Sequence, residues 1–383
     1  MKRSTYDRNR RRRKKRYYGA FEIIVTVIAI IMIVCAYAGN IDPRSFFPAP
    51  FMVLAFIPVV ILMLVLLLAS MFWRRWLSML IIFVSLVISL PTIKVFVPMN
   101  TVEDALPMPA DTTLTLKVMT YNVLAFNYNE PTLNSKPSET MQLILKANPD
   151  VVVLQEGSAG GVHWKDMPSL QSLQSQIESR YPYVYYGEEG LNLLSKVPFT
   201  TQALGEPQHS RSPLGFNRGQ TSYLARAFDL QLKTGKQLRL VDFRLQSYHL
   251  SFGKSMNVRV SPDVKPSAME RMRRSFALRG DDAATLRQIF DGSPANLIVC
   301  GDMNDVPTSH VYQVIRGDDL KDAWEDAGRG YAYTYNRHGL KYRIDHIFYR
   351  GDVRALRAQR LEGGSSDHYP LMVTFDIDNS TRK

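Results

Sequence analysis

Cysteine is almost missing from this chain: of 383 residues only Cys35 and Cys300 are thiols, one inside a long apolar run and one in a short apolar run before Gly301. That excludes a disulfide framework and a thiolate metal site. Acidic residues are scarce over the first hundred positions, which hold only Asp7, Glu22 and Asp42. Beyond residue 100 it is net charge that is lacking, with 33 Lys and Arg against 32 Asp and Glu. The overall +12 therefore belongs to the N-terminal part, and the larger part has no basic excess with which to grip a nucleic-acid duplex avidly. Internal repeats and low-complexity tracts are absent after residue 18, which sets repeat architectures aside.

What the first hundred residues do have is length of apolar run. Gly19 to Ala38, Phe51 to Trp73 and Trp76 to about Val97 are charge-poor stretches, each near the ~20 residues needed to cross a bilayer as a helix. Glu22 and Lys94 fall near run ends, where a long side chain reaches the interface, and Trp73 and Trp76 suit an interfacial belt. A cleaved signal peptide would explain the first run and leave two unexplained. Residues 1–18 carry ten Lys or Arg against Asp7 alone. By the positive-inside rule this end is expected in the cytoplasm, with Arg74 and Arg75 also inside, and the basic run is suited to anionic lipid headgroups. Three spans then carry everything after about residue 100 across. The expectation is a multi-pass protein of the cell (inner) membrane with a periplasmic or extracellular domain.

Residues 98–113, with Pro98, Pro107 and Pro109, read as a linker, and a domain of residues 114–383 follows. Short β-branched runs recur there: Leu114 to Thr120, Val151 to Leu154, Tyr183 to Tyr186, Leu191 to Ser195, Tyr223 to Leu232, Gln237 to Leu245, Ala295 to Cys300, His346 to Tyr349 and Leu371 to Ile377. Helical spacing marks Ser138 to Ala147, Ser169 to Ser179 and Ser267 to Phe290. Strands in this number, several not separated by helices, predict a four-layer α/β sandwich: two packed mixed β-sheets flanked by helices, preceded by three transmembrane helices. The basic cluster Arg271, Arg273, Arg274 and Arg279 is either a solvated helix face or a substrate-facing insertion.

Several apolar runs end in polar side chains. Lys117 to Asn122 ends on an amide, Asp150 to Glu156 on a carboxylate, and Asn296 to Asn304 presents Asp302 and Asn304 together; Arg343 to Phe348 contains Asp345, and Asp367 and His368 are adjacent. Carboxylates, amides and a histidine at strand ends suit a divalent cation held by oxygen ligands, with donors left over for a phosphate. Each motif alone is weak. The ordered series Asn122, Glu156, Asp302 with Asn304, Asp345, then Asp367 with His368 resembles the endonuclease/exonuclease/phosphatase superfamily over about residues 115–377.

The resemblance implies that Glu156 is the principal metal carboxylate, with Asn122 and Asp367 as neighbours of the metal site. It implies that Asp302 and Asn304 orient the attacking water and contact phosphate, that His368 lies beside the scissile phosphate, and that Asp345 holds that histidine. Thr334 with Tyr335, and Gly190 to Pro198, match segments that are structural. Magnesium is the implied cofactor, with manganese or calcium as substitutes. One position departs from the family pattern: where Asn-x-His-Leu is usual, this chain has Asp242 and Arg244. Arginine cannot act as a general acid at ordinary pH but can donate two hydrogen bonds to a phosphate. His249 is a poor stand-in by strand alternation.

These readings point to a membrane-anchored, divalent-metal-dependent phosphoesterase acting outside the cytoplasm on a lipid headgroup, a nucleic acid or a small phosphate ester. The alternatives are an extracytoplasmic nuclease acting on DNA, and a non-catalytic binding protein on the same fold because Arg244 replaces the usual histidine.

Overall fold

A computed structural model describes residues 2–100, 115–159, 162–187, 190–205, 223–247, 268–337 and 339–377, without the side chains of residues 2–18. His249 and residues 101–113 of the expected linker lie outside the described residues. The chain divides into two compact units, Met1–Lys94 with Thr308–His310, and Val95–Pro307 with Val311–Lys383.

The first unit contains three segments long and apolar enough to cross a membrane: Gly19–Asn40, Ala49–Phe72 and Trp76–Phe96. Their bounds fall within a few residues of the apolar runs. Two polar side chains in them find backbone carbonyls: Tyr37 Oη donates to Ile88 O at 2.7 Å and Thr92 Oγ1 to Ala36 O at 3.0 Å. Such pairing is what an apolar solvent demands of a buried donor. Arg74 takes a left-handed φ of 53° in the turn between the second and third helices.

In the second unit the chain forms β1 (Thr115–Asn122), β2 (Val151–Gln155), the ribbon of β3 (Ser158–Ala159) and β4 (Val162–His163), then β5 (Tyr183–Tyr185) and β6 (Asn192–Ser195). There follow β7 (Phe199–Leu204), β8 (Ala225–Gln231), β9 (Gln237–Arg244), β10 (Leu297–Asp302) and β11 (Lys321–Asp322). A second ribbon, β12 (Tyr335–Arg337) with β13 (Leu340–Tyr342), precedes β14 (Asp345–Arg350), β15 (Arg354–Arg360) and β16 (Leu371–Asp376). One six-stranded sheet runs β15-β16-β1-β2-β6-β5 and the other β11-β14-β10-β9-β8-β7. Both are mixed: β1 and β2 are parallel, as are β9 and β10, and the remaining pairs are antiparallel.

Alternation builds the layers. Leu116, Val118, Val151, Val153, Leu240, Ile298, Ile347 and Val373 meet between the sheets. Their alternate neighbours face outward: Met119, Tyr121, Val152 and Leu154 pack with Met141, Ile144 and Ile177, while Val241, Phe243, Leu297, Val299 and Phe348 pack with Leu286, Phe290, Tyr312 and Ile315. A period of two thus gives each central strand two buried faces and the unit its four layers. The helix Glu139–Ala147 starts where Ser138 Oγ accepts from Met141 N at 3.3 Å and stops at Asn148, left-handed at φ 52°.

Pro98 to Asn100, the start of the expected linker, are hydrogen-bonded within this unit. Pro98 O accepts from Gly330 N at 2.9 Å, and Asn100 Nδ2 donates to Glu325 O at 3.0 Å and Gly328 O at 2.8 Å. The basic cluster is divided: Arg271 and Arg273 are exposed on the helix Ala268–Asp291, whereas Arg279 is fully buried and donates to Gln246 O at 3.2 Å. Arg279 is therefore a core residue of the fold. The strands β7, β11 and β15 add to those expected from the sequence.

Candidate active site

Side chains that point between the sheets turn polar at one end of β1, β2, β9, β10 and β14. Register then aligns them. Asp302, the last residue of β10, pairs with Arg244 of parallel β9 on one side and with Asp345 of antiparallel β14 on the other. In the facing sheet Asn122 of β1 pairs with Gln155 of β2. Gln155 Nε2 donates across the seam to buried Asp242 Oδ1 at 2.5 Å, forming a polar floor beneath the site.

Asn122 Nδ2 donates to both Glu156 Oε1 and Asp302 Oδ2, each at 2.9 Å, and its Oδ1 accepts from Leu124 N at 3.1 Å. Asn304 gives Asp302 two more donors, its backbone N to Oδ1 at 2.9 Å and its Nδ2 to Oδ2 at 3.0 Å; the same Nδ2 also donates to Leu245 O at 2.9 Å. His368 Nδ1 lies 2.8 Å from Asp345 Oδ2. Asp345 is aimed by Thr334, whose Oγ1 accepts from both Ile344 N and Asp345 N at 3.0 Å. One ligand atom each of Asp302, Asp345 and His368 falls within 4.8 Å of the others. Glu156 and Asn304 both adopt left-handed backbone, with φ of 54° and 50°. Non-glycine residues there cost on the order of 1–3 kcal/mol each and persist where the surroundings over-determine them.

Burial pushes the Asp302 carboxyl up, the Asp345 charge pushes it further, and His368, Arg244 and Asn122 only partly offset them, so it rests at about 6. Burial pulls His368 down, but the Asp345 charge and hydrogen bond, with Asp302 and Asp367, outweigh it and hold the imidazolium up to about 10. Burial would raise Glu156; the Arg244 charge, Asn122 and His368 reverse that and leave it below the ordinary carboxylate range. At neutral pH the site is a charged ring between buried carboxylates, with an ionised Glu156 at its edge.

The model of the Endonuclease/Exonuclease/phosphatase family matches residues 119–368, which span every one of these groups. The chain belongs to that family. In this family member a second match, a domain of unknown function, covers residues 19–96. No curated protein matches the chain. Among solved structures, a humanized D. rerio TDP2 is 18% identical with a TM-score of 0.47, covering 68% of this chain and 99% of that one. The human Nocturnin catalytic domain is 20% identical (TM-score 0.43, 68% and 94% covered), and sphingomyelinase C from Streptomyces griseocarneus 17% (TM-score 0.43, 68% and 99%).

Of the site residues expected from the sequence, Asn122, Glu156, Asp302 and Asn304 form one hydrogen-bonded group, and Asp345 with His368 forms the adjoining pair. Arg244 reaches the group: its Nη2 lies 2.5 Å from Glu156 Oε1 and its Nε 3.9 Å from Asp302 Oδ2. Asp367 turns to the β12–β13 ribbon, where Arg337 Nη1 meets its Oδ2 at 3.1 Å. The amide of Asn304 is spent on Asp302 and Leu245 O.

Three further contributors had no role at the site among the expectations from the sequence. Ser366 Oγ donates to Asn122 O at 2.7 Å and accepts from His368 N at 3.1 Å, joining the two groups. Tyr335, read as structural, packs its ring edge-on to His368 with centroids 5.2 Å apart. Buried Arg343, two residues before Asp345, donates to Asp322 Oδ2 at 2.7 Å and to Val95 O at 2.9 Å. The Arg-Ile-Asp order was visible, but its partners are distant in sequence.

The donor set fits a hard divalent cation: carboxylates and amides with no soft ligand, around a left-handed Glu156 that is 28% exposed. Asp345 Oδ1 is buried with no hydrogen-bond partner among the described residues, so the site holds acceptor capacity its own side chains do not use.

Proposed function

We propose that this chain is a membrane-anchored, divalent-cation-dependent phosphoesterase whose catalytic unit works outside the cytoplasm. The observation that carries the reading is the convergence of Asp302, Asp345 and His368 beside Glu156 and Asn122 at one end of the seam between two sheets. Glu156, with Asn122 beside it, would hold the cation, magnesium being the first choice for oxygen donors. When bound, that ion supplies charge stabilisation at phosphate oxygens and a lower pKa for a coordinated water.

The chain's own residues do the rest. Asp302, poised at about 6, is ionised at neutral pH and suited to accept a proton from the attacking water. Asn304 and Asn122 keep it oriented. His368 is a charged donor aimed by Asp345, suited to stabilise the pentacoordinate oxygens or to protonate the leaving group. Arg244 adds a second cationic donor to phosphate, in the position where the family usually has histidine.

Three apolar helices support anchoring, and the basic N-terminal run supports a cytoplasmic N-terminus with the catalytic unit on the periplasmic or extracellular side. Residence at a bilayer favours a lipid or envelope phosphate ester over duplex DNA, for which the near-neutral unit has no basic excess. Full-length protein and Glu156→Ala should be assayed with magnesium against sphingomyelin, glycerophospholipids, plasmid DNA and model mono- and diesters. Turnover lost with chelator and in the variant is expected. Silence across the panel from folded, magnesium-binding protein would move the assignment to a binding protein, and preference for plasmid DNA would move it to a nuclease. Cysteine labelling from outside intact cells tests the orientation: a C-terminus labelled only after lysis would overturn it.

A further inference from the structure

We propose that Arg244 couples two ligands of this site, so that a phosphate-like anion releases Glu156 and thereby tightens cation binding. The inference rests on the metal-dependent reading above and deepens it. Arg244 is held by one edge of its guanidinium: Nη2 lies on Glu156 Oε1 at 2.5 Å, whereas Nε is buried, faces Asp302 Oδ2 at the longer distance of 3.9 Å and makes no hydrogen bond among the described residues. Nε and Nη2 form the side of the fork that grips an oxyanion with two parallel bonds. Arg239 uses that same edge on Asp229, through Nε at 2.7 Å and Nη2 at 2.8 Å. Because Nε is buried as the site stands, a tetrahedral anion can take both nitrogens of this edge only by drawing the guanidinium outward, and that movement takes Nη2 away from Glu156.

Glu156 has no easy retreat. Its backbone is left-handed at φ 54°, Ala125 N donates to its carbonyl at 2.8 Å, and Gly157 N donates to Gly190 O at 2.9 Å. When Nη2 leaves, Oε1 keeps the neutral donor Asn122 Nδ2 at 2.9 Å and the more distant charge of His368, and a cation that formerly had to displace a guanidinium meets a carboxylate free of it. A neutral histidine at this position would not place a permanent positive charge on Glu156; arginine does. Arg244 and Glu156 are 35% and 28% exposed, so both ligands can reach them from solvent. By linkage the effect is reciprocal: the cation must strengthen anion binding by the same factor.

The test is calorimetric titration of magnesium into the full chain in detergent micelles free of phospholipid, at pH 8, in sodium chloride or in sodium sulfate of equal ionic strength. For the wild type, sulfate should tighten magnesium binding by about 5-fold or more, the lower end of typical coupling. Arg244→Gln should bind magnesium more tightly than wild type in chloride and show no sulfate effect beyond solution ion pairing. Arg244→Met, which carries no charge at any pH, should behave likewise and serves if the first variant folds poorly. If magnesium binding is lost in Glu156→Gln but Arg244→Gln keeps both the wild-type affinity and the sulfate effect, the coupling is refuted while the metal reading stands. If no variant or wild type binds magnesium, the metal reading falls and takes this proposal with it.

Discussion

Replacing Asp345 by asparagine keeps the shape of the site and removes one charge, so it isolates what holds the His368 proton. In the wild type His368 is lifted from 6.5 to about 10 against the pull of burial, with the Asp345 charge and hydrogen bond as the largest raising causes. That span corresponds to about 5 kcal/mol in favour of the charged ring, at about 1.4 kcal/mol per pH unit. With Asp345 neutral, the two largest raising causes are gone, only Asp302 and Asp367 oppose burial, and His368 should titrate well below its wild-type value. In chelator-treated, full-length protein, the ring nitrogen resonances of His368, assigned with a His368→Gln control, should report a charged ring at pH 8 in wild type and a neutral one in Asp345→Asn. Stability should follow the same window. A histidine raised in the folded state contributes fully below about 6.5 and loses that contribution as pH climbs through about 10. The wild type's advantage in thermal midpoint should therefore be largest near pH 6 and shrink toward pH 10. If the site hydrolyses phosphate esters, turnover should fall about 10²–10⁴-fold, the usual worth of a positioned acid or base. A His368 that stays charged at pH 8 in Asp345→Asn would refute the reasoning.

Thr334→Val is isosteric but leaves Ile344 N and Asp345 N without their shared acceptor, at about 1–3 kcal/mol for each buried donor; an unchanged unfolding midpoint would show that another group satisfies them. Gly301→Ala should destabilise by about 1–3 kcal/mol or more, because a Cβ there would press on the backbone carbonyl of Phe243 in adjacent β9; normal yield and melting would contradict the tight approach of β9 and β10. Arg343→Met should cost about 3–5 kcal/mol by leaving Asp322 as a buried charge without its cation, read as a fall in denaturation midpoint. A loss below 1 kcal/mol would mean that Tyr312 and His346 compensate.

The sandwich was legible because apolar alternation was strong where strands are central. Lys117 to Asn122 and Asn296 to Asp302 each end an apolar run with a polar side chain, and that interruption marks the site end of a strand. Three of the four edge strands, β7, β11 and β15, were not legible, whereas β5 was. Arg354–Arg360 reads Arg-Ala-Leu-Arg-Ala-Gln-Arg, a composition that favours helix, and becomes a strand by pairing with β16 through a register shift between Ala355 and Arg357. At the site, residue types could be named but not their partners. Nothing local says that Arg244 lies opposite Asp302 and on Glu156, or that Asn122 reaches Asp302, because each depends on register between segments up to 180 residues apart.

The hydrogen bond from Arg343 to Val95 O bears on how this protein can be cut. A soluble fragment begun anywhere in the stretch 101–114 would lack Val95 and Asn100, stripping a buried guanidinium of one acceptor and baring Glu325 O and Gly328 O. Such a fragment would be handicapped two residues from Asp345 for reasons unrelated to chemistry, and weak activity from it would be misread as a defect of the site. The smallest faithful piece starts at or before Val95, and so carries the last residues of the third apolar helix with it.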